Sequence, residues 1–162
     1  MSVTLNYTSK INSTEVLEAN MPAATDKTVQ HGGYDTVVQA NGSSSPPVSK
    51  CAYFEKALSG GAATIDLTAL PGANNATVDG TGLRVQYLKF RNKSANTHKL
   101  TLSKGATNGY DGFGASFSLE LAPGGEQLVR AVDNGSDIGA SNKTLDLSGT
   151  GTEIAEFAVV LG

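Results

Sequence analysis

The 162 residues include one cysteine, no tryptophan, two histidines and no long apolar run. Each shortage removes a class of protein. Cys51 has no partner for an intrachain disulfide, so stability has to come from packing or from assembly with other chains. As a lone thiol it reads as a small buried apolar residue rather than a nucleophile. His31 sits in a glycine-flanked loop and His98 in a polar segment before Leu100. Neither has a second His or Cys at ligand spacing, so a zinc site would need carboxylates from elsewhere in the chain. Gly-x-Ser-x-Gly and Gly-x-x-x-x-Gly-Lys-Ser/Thr are both missing, which leaves no nucleophile elbow and no phosphate loop. Asp133-Asn134-Gly135-Ser136-Asp137 has the oxygen density of a calcium loop but lacks the EF-hand spacing and terminal glutamate, and Asp-Asn-Gly is also ordinary turn chemistry. The expectation is a chain that is not an enzyme and holds no cofactor or metal.

Charge is also sparse. Twelve Lys and Arg against fifteen Asp and Glu give a net charge of −3, a poor basis for neutralising phosphates, so no nucleic-acid partner is expected. No apolar stretch approaches the ~20 residues of a membrane helix, so no membrane partner is expected either. Met1 to Asn6 lacks a basic segment followed by an apolar one, and no signal peptide is read there. Triplets such as Asn6-Tyr7-Thr8 and Asn75-Ala76-Thr77 reflect a Ser/Thr/Asn-rich composition.

What the chain does have is glycine, nineteen residues of it, without the three-residue period of collagen. From Gly61 onward, apolar residues alternate in short segments, the period-two signature of half-buried strands. Ile65 and Leu67 are followed by Leu83 to Phe90, then Leu100 and Leu102. Phe117, Leu119 and Leu121 come next, then Leu128, Val129 and Val132, then Leu145 and Leu147. Phe157, Val159 and Leu161 close the series on one parity. Asp79-Gly80, Asn108-Gly109, Asp111-Gly112, Pro123-Gly124-Gly125 and Asn134-Gly135 supply turns between them. This spacing predicts an all-β protein, an antiparallel β-sandwich or jelly-roll-like barrel. In the long segment the apolar phase slips between Tyr87 and Leu88. A β-bulge would cause this, as would burial on both faces of a central strand, and the length of the apolar run favours the second. Thr64-Ile65-Asp66-Leu67-Thr68 is echoed by Thr144-Leu145-Asp146-Leu147-Ser148, too little to define a repeat.

Residues 1–60 read differently. Val3, Leu5 and Tyr7 alternate, Tyr34, Val37 and Val38 open another candidate strand, and Ser13 is placed to cap a short helical turn through Glu18. Ala40 to Pro47 is Ser/Pro-rich and reads as a linker or exposed loop near residues 40–48. A strand resumes from Val48 to Leu58. Residues 1–60 are therefore expected to form an extended N-terminal arm or add-on strands beside a sandwich core at 61–162, and deletion of 1–47 is expected to leave a folded core that no longer assembles.

Two surface features invite partners. Arg84, Lys89, Arg91, Lys93, Lys99 and Lys104 follow one another with no acid among them, while acids collect later in the chain. They form either a basic face for an acidic partner or one half of cross-strand ion pairs, each such pair stabilising by about 0.2–1 kcal/mol. Tyr110 and Phe113, set among glycines, either anchor a partner or fold back over the end of the sandwich.

The segments Ile65–Gly72, Val85–Asn92 and Leu121–Glu126, in turn grammar and composition, resemble small virion proteins of tailed bacteriophages, in particular capsid decoration or cement proteins. The resemblance spans residues 61–162 and leaves the first sixty unmatched. It implies a β-sandwich or barrel located in the virion, commonly a trimer, with an N-terminal segment gripping capsid protein or a neighbouring copy, and no catalytic residues. The residues expected at the partner surface are Val3, Leu5 and Tyr7 of the arm, Arg84, Lys89, Arg91 and Lys93 of the basic stretch, and Tyr110 and Phe113. The rival expectation is a carbohydrate- or receptor-binding sandwich of a phage tail or adhesin, which the missing tryptophan weakens.

Overall fold

A computed structural model describes residues 3–10, 13–17, 27–31, 36–73, 76–130 and 136–162, with backbone alone for 14–17 and 27–31. The described residues form strands and no α-helix. The N-terminal third contains β1 (Leu5–Ser9), β2 (Ser13–Leu17), β3 (Lys27–His31), β4 (Thr36–Ala40) and β5 (Lys50–Ala57). The middle contains β6 (Ala62–Asp66), β7 (Leu70–Pro71), β8 (Thr77–Val78), β9 (Val85–Asn92) and β10 (Leu100–Lys104). The last four are β11 (Ser118–Leu121), β12 (Glu126–Arg130), β13 (Thr144–Ser148) and β14 (Ile154–Leu161).

Eight strands build two antiparallel sheets. Sheet I has the order β12-β9-β14-β5 and sheet II the order β11-β10-β13-β6. Among these eight, every connection except β10 to β11 passes from one sheet to the other, which gives the paired four-strand order of a jelly roll. The small β7–β8 hairpin sits in the crossover from β6 to β9. Lys50–Ala57, expected within the arm or add-on segment, is the edge strand of sheet I, in register with β14 from Ile154↔Ala57 to Leu161↔Lys50.

The core lies between the sheets. Leu88, Phe90, Phe157 and Val159 of sheet I face Ile65, Leu100, Leu102, Leu145 and Leu147 of sheet II. Phe54, Phe157 and Phe90 occupy one cross-strand row and stack at 5.3 and 5.4 Å. The two echoed segments are direct neighbours, Leu145 opposite Ile65 and Asp146 opposite Thr64. The Thr64 hydroxyl donates to Asp146 at 2.9 Å, and Lys143 donates to Asp66 at 2.7 Å.

The phase slip in β9 has both of its candidate causes. Leu161 pairs with Val85 and Val160 with Tyr87, so Gln86 is the extra residue of a bulge. Val85 and Leu88 thereby both reach the core although their parity differs, while Tyr87 is buried on the opposite face.

The N-terminal residues form a hairpin. β1 pairs with β4 from Leu5↔Ala40 to Ser9↔Thr36, and further out β2 pairs with β3 from Ser13↔His31 to Leu17↔Lys27. Neither pair joins sheet I or II. The helical turn expected after Ser13 is a strand instead. One turn of helix fixes many dihedrals for few hydrogen bonds, whereas this segment finds a complete ladder with β3. Tyr34 lies outside the described residues, as do Val132 and Asp133 to Gly135. Of the two readings of the Ser/Pro segment, the exposed loop is the one found, tied as a turn. The Asn41 carbonyl accepts from the Ser44 and Val48 amides at 3.1 and 3.0 Å, and Val48 is fully buried.

Candidate interaction face

The two outer faces of the sandwich differ in chemistry. That of sheet II carries Ser, Thr and acids: Thr101, Ser103, Glu120, Thr64, Asp146 and Ser148. The outer face of sheet I is mixed, and its register resolves it into three rows crossing β5, β14, β9 and β12. The first row is Cys51, Val160, Tyr87 and Arg130, the second Tyr53, Ala158, Lys89 and Leu128, and the third Glu55, Glu156, Arg91 and Glu126. Each row has its own role.

The base of the hairpin lies on the first row. Val3, Leu5, Tyr7 and Val38 pack on Tyr87, Val160, Cys51, Val48 and Ala40, forming a second apolar cluster. The Tyr7 and Tyr87 rings are 5.9 Å apart, and the Arg130 guanidinium lies 5.8 Å from the Tyr87 ring centre. Val3, Leu5 and Tyr7, expected at a partner surface, thus hold the chain's own arm to its own sheet. Alternation explains why: Leu5, Tyr7, Val38 and Ala40 share one side of the β1–β4 pair, whereas the other side carries Asn6, Thr8, Gln39 and a single apolar residue, Val37.

The third row is a charge ladder. Glu55 stands directly opposite Glu156, an arrangement that is destabilising by itself. Lys93 lies 2.7 Å from Glu55 and 3.8 Å from Glu156 and relieves it. Arg91 pairs with Glu156 at 3.1 Å, and Lys89 with Glu126 at 3.0 Å. Hydrogen bonding to Glu55 raises the Lys93 pKa above the usual ammonium value. Arg84, apart from this face, pairs with Asp137 at 2.7 Å. Arg84, Lys89 and Arg91 therefore meet later acids as loop-to-loop and cross-strand ion pairs, and Lys93 bridges the earlier Glu55 to Glu156.

The second row is open. Ala158, the smallest side chain on it, is flanked by Tyr53 and Lys89, and a notch of about 260 Å³ lies over it, walled by Arg91 and Glu156. Tyr53 is 67% exposed, and with Val37 it makes up the exposed large apolar side chains of the described residues. Sequence reasoning did not single out Tyr53, because alternation in β5 assigns residues to two sides without saying which side is covered.

Tyr110 is not at a surface. It is 1% exposed, its hydroxyl accepts the Val85 amide at 3.0 Å, and burial pushes its pKa above the ordinary phenol value. Phe113 packs edge-on against Tyr110 at 5.6 Å and against Phe117 at 4.9 Å, half-buried. The pair closes the end of the sandwich, where the Tyr110 hydroxyl satisfies the backbone amide at the start of β9.

His98 belongs to a loop clamp. Glu153, whose side chain is 9% exposed, accepts from the Thr97 amide and hydroxyl at 3.0 Å each, the His98 amide at 3.1 Å and His98 Nδ1 at 2.9 Å. The His98 bond is the largest of the contacts that hold the Glu153 carboxyl below the usual glutamate range. Among the described residues, no group of three His, Cys, Asp or Glu is placed to hold a metal ion.

No known protein family, curated protein or solved structure matches the chain.

Proposed function

We propose that the chain is a structural component of a phage virion, a decoration protein that binds capsid protein and stabilises the shell, assembled as a homo-oligomer, with a trimer favoured. The observation that carries this reading is the two-part hairpin. Its base is anchored on sheet I through the Tyr7–Tyr87 cluster, while among the described residues β2 pairs with β3 in a two-stranded sheet apart from sheets I and II. A β2–β3 pair outside both sheets, joined in sequence to a base held on sheet I, suits an arm that grips a neighbouring subunit by adding strands to a sheet edge. Repetition over a symmetric shell multiplies modest contacts by avidity. The jelly-roll order supports the reading by analogy of fold, since viral capsid domains use it.

Co-sedimentation with purified capsid shells tests the proposal, alongside native mass in solution. The full chain is expected to pellet with shells at a fixed ratio to capsid protein. A variant in which Asn-Gly replaces residues 11–35 keeps the anchored base and is expected to stay in the supernatant. A full chain that does not pellet overturns the reading, and equal pelleting of the two proteins removes the arm from it.

A further inference from the structure

We propose that the notch over Ala158 on the outer face of sheet I binds one pyranose ring of a neutral glycan, with Tyr53 as the stacking platform. The notch exists because a methyl group sits in register between a phenol and a long ammonium side chain. Its volume of about 260 Å³ falls just below the ~300–1,000 Å³ of pockets that enclose drug-sized ligands, which suits a single ring on an open face. Tyr53 presents an aromatic ring to solvent beside it, 67% exposed. Such a ring covers the apolar C–H face of a sugar while its hydroxyl stays in water.

Electrostatics select the ligand class. The acids of the adjoining row are bridged by Lys89, Arg91 and Lys93. A phosphate, sulfate or carboxylate ligand would meet cations whose charge a carboxylate already offsets and would lie beside the Glu156 carboxylate, so it gains little. A neutral sugar has no such conflict. Its neighbouring hydroxyls both donate and accept, matching a guanidinium and a carboxylate held 3.1 Å apart at the rim. A long apolar peptide is a poorer fit, because the notch offers one aromatic ring and a charged wall. The assignment does not rest on shell binding, so a chain that fails to bind capsids can still carry it.

The test is an array of neutral and acidic glycans probed with the full chain, followed by titration of the neutral glycan retained best. Neutral glycans are expected to bind. Tyr53→Ala, which removes the platform, and Ala158→Leu, which fills the notch, are expected to weaken binding about tenfold or more, and Tyr53→Phe to retain most of it. Circular dichroism and native mass are expected to match the parent in all three. The proposal is overturned if no glycan is retained or if Tyr53→Ala and Ala158→Leu bind like the parent. Retention of acidic glycans alone, abolished by salt, overturns it in favour of ionic docking.

Discussion

At the scale of single residues, side chains that look alike in sequence have opposite fates. Tyr53, Tyr87 and Tyr110 illustrate this. Tyr53 lies in solvent, Tyr87 lies under the hairpin, and Tyr110 lies between the sheets with its hydroxyl on the Val85 amide. The Tyr110 hydroxyl is the acceptor for the Val85 amide at the start of β9, and Val85 is itself buried. Tyr110→Phe keeps the packing and removes only that acceptor, so it is expected to cost about 1–3 kcal/mol, the penalty for leaving a buried donor unsatisfied. Denaturant unfolding checks this. A loss indistinguishable from zero would mean that the Val85 amide finds another partner.

At the scale of elements, loops are held by specific acceptors rather than by length or stiffness. Glu153 ties the loop through Thr97 and His98 to the start of β14, and Asn96 adds to it by accepting from the Ile154 amide at 3.1 Å and donating to its carbonyl at 2.7 Å. Because the folded Glu153 pKa is depressed, its contribution is fully present above the ordinary glutamate pKa. It is lost as pH falls through the lower folded value. The difference in melting temperature between the parent and Glu153→Gln is therefore expected to be largest near about pH 7 and to shrink on acidification below the usual carboxylate range. A difference constant across that range would show that the carboxylate's charge is not what clamps the loop. The pairing of β6 with β13 shows the same economy: two similar segments far apart in the chain become neighbours with matched Ile65–Leu145 and Thr64–Asp146 positions.

At the scale of the whole molecule, the arm is not separable from the sandwich at its base. The expectation that deletion of residues 1–47 leaves a folded core that no longer assembles now carries a stability cost, since that segment covers Tyr87 and Val160. Deletion of residues 1–40 is expected to leave both sheets paired but less stable, by about 1.5–3 kcal/mol for each large side chain newly exposed to water. A lowered denaturant midpoint with increased binding of a hydrophobic dye would register both effects. An unchanged midpoint would mean that the first row of sheet I needs no cover.

The sequence by itself determined the strands and turns of the sandwich, because alternation and turn residues act over a few neighbouring positions. Ile65, Leu102, Leu147 and Phe157 could be placed in a core from their spacing alone, and the all-β sandwich followed from them. Sequence also supplied the right charges for the ladder, leaving open whether Lys89, Arg91 and Lys93 faced a partner or the later acids. The tertiary structure decided the rest. Strand pairing joins residues as distant as Lys50 and Leu161, and no local pattern encodes which strands meet. Alternation defines two sides of a strand but not which side will be covered. Val3, Leu5 and Tyr7 therefore turned inward onto the molecule itself, Tyr110 entered the core, and Tyr53, unremarkable in the sequence, became the exposed aromatic of the candidate face.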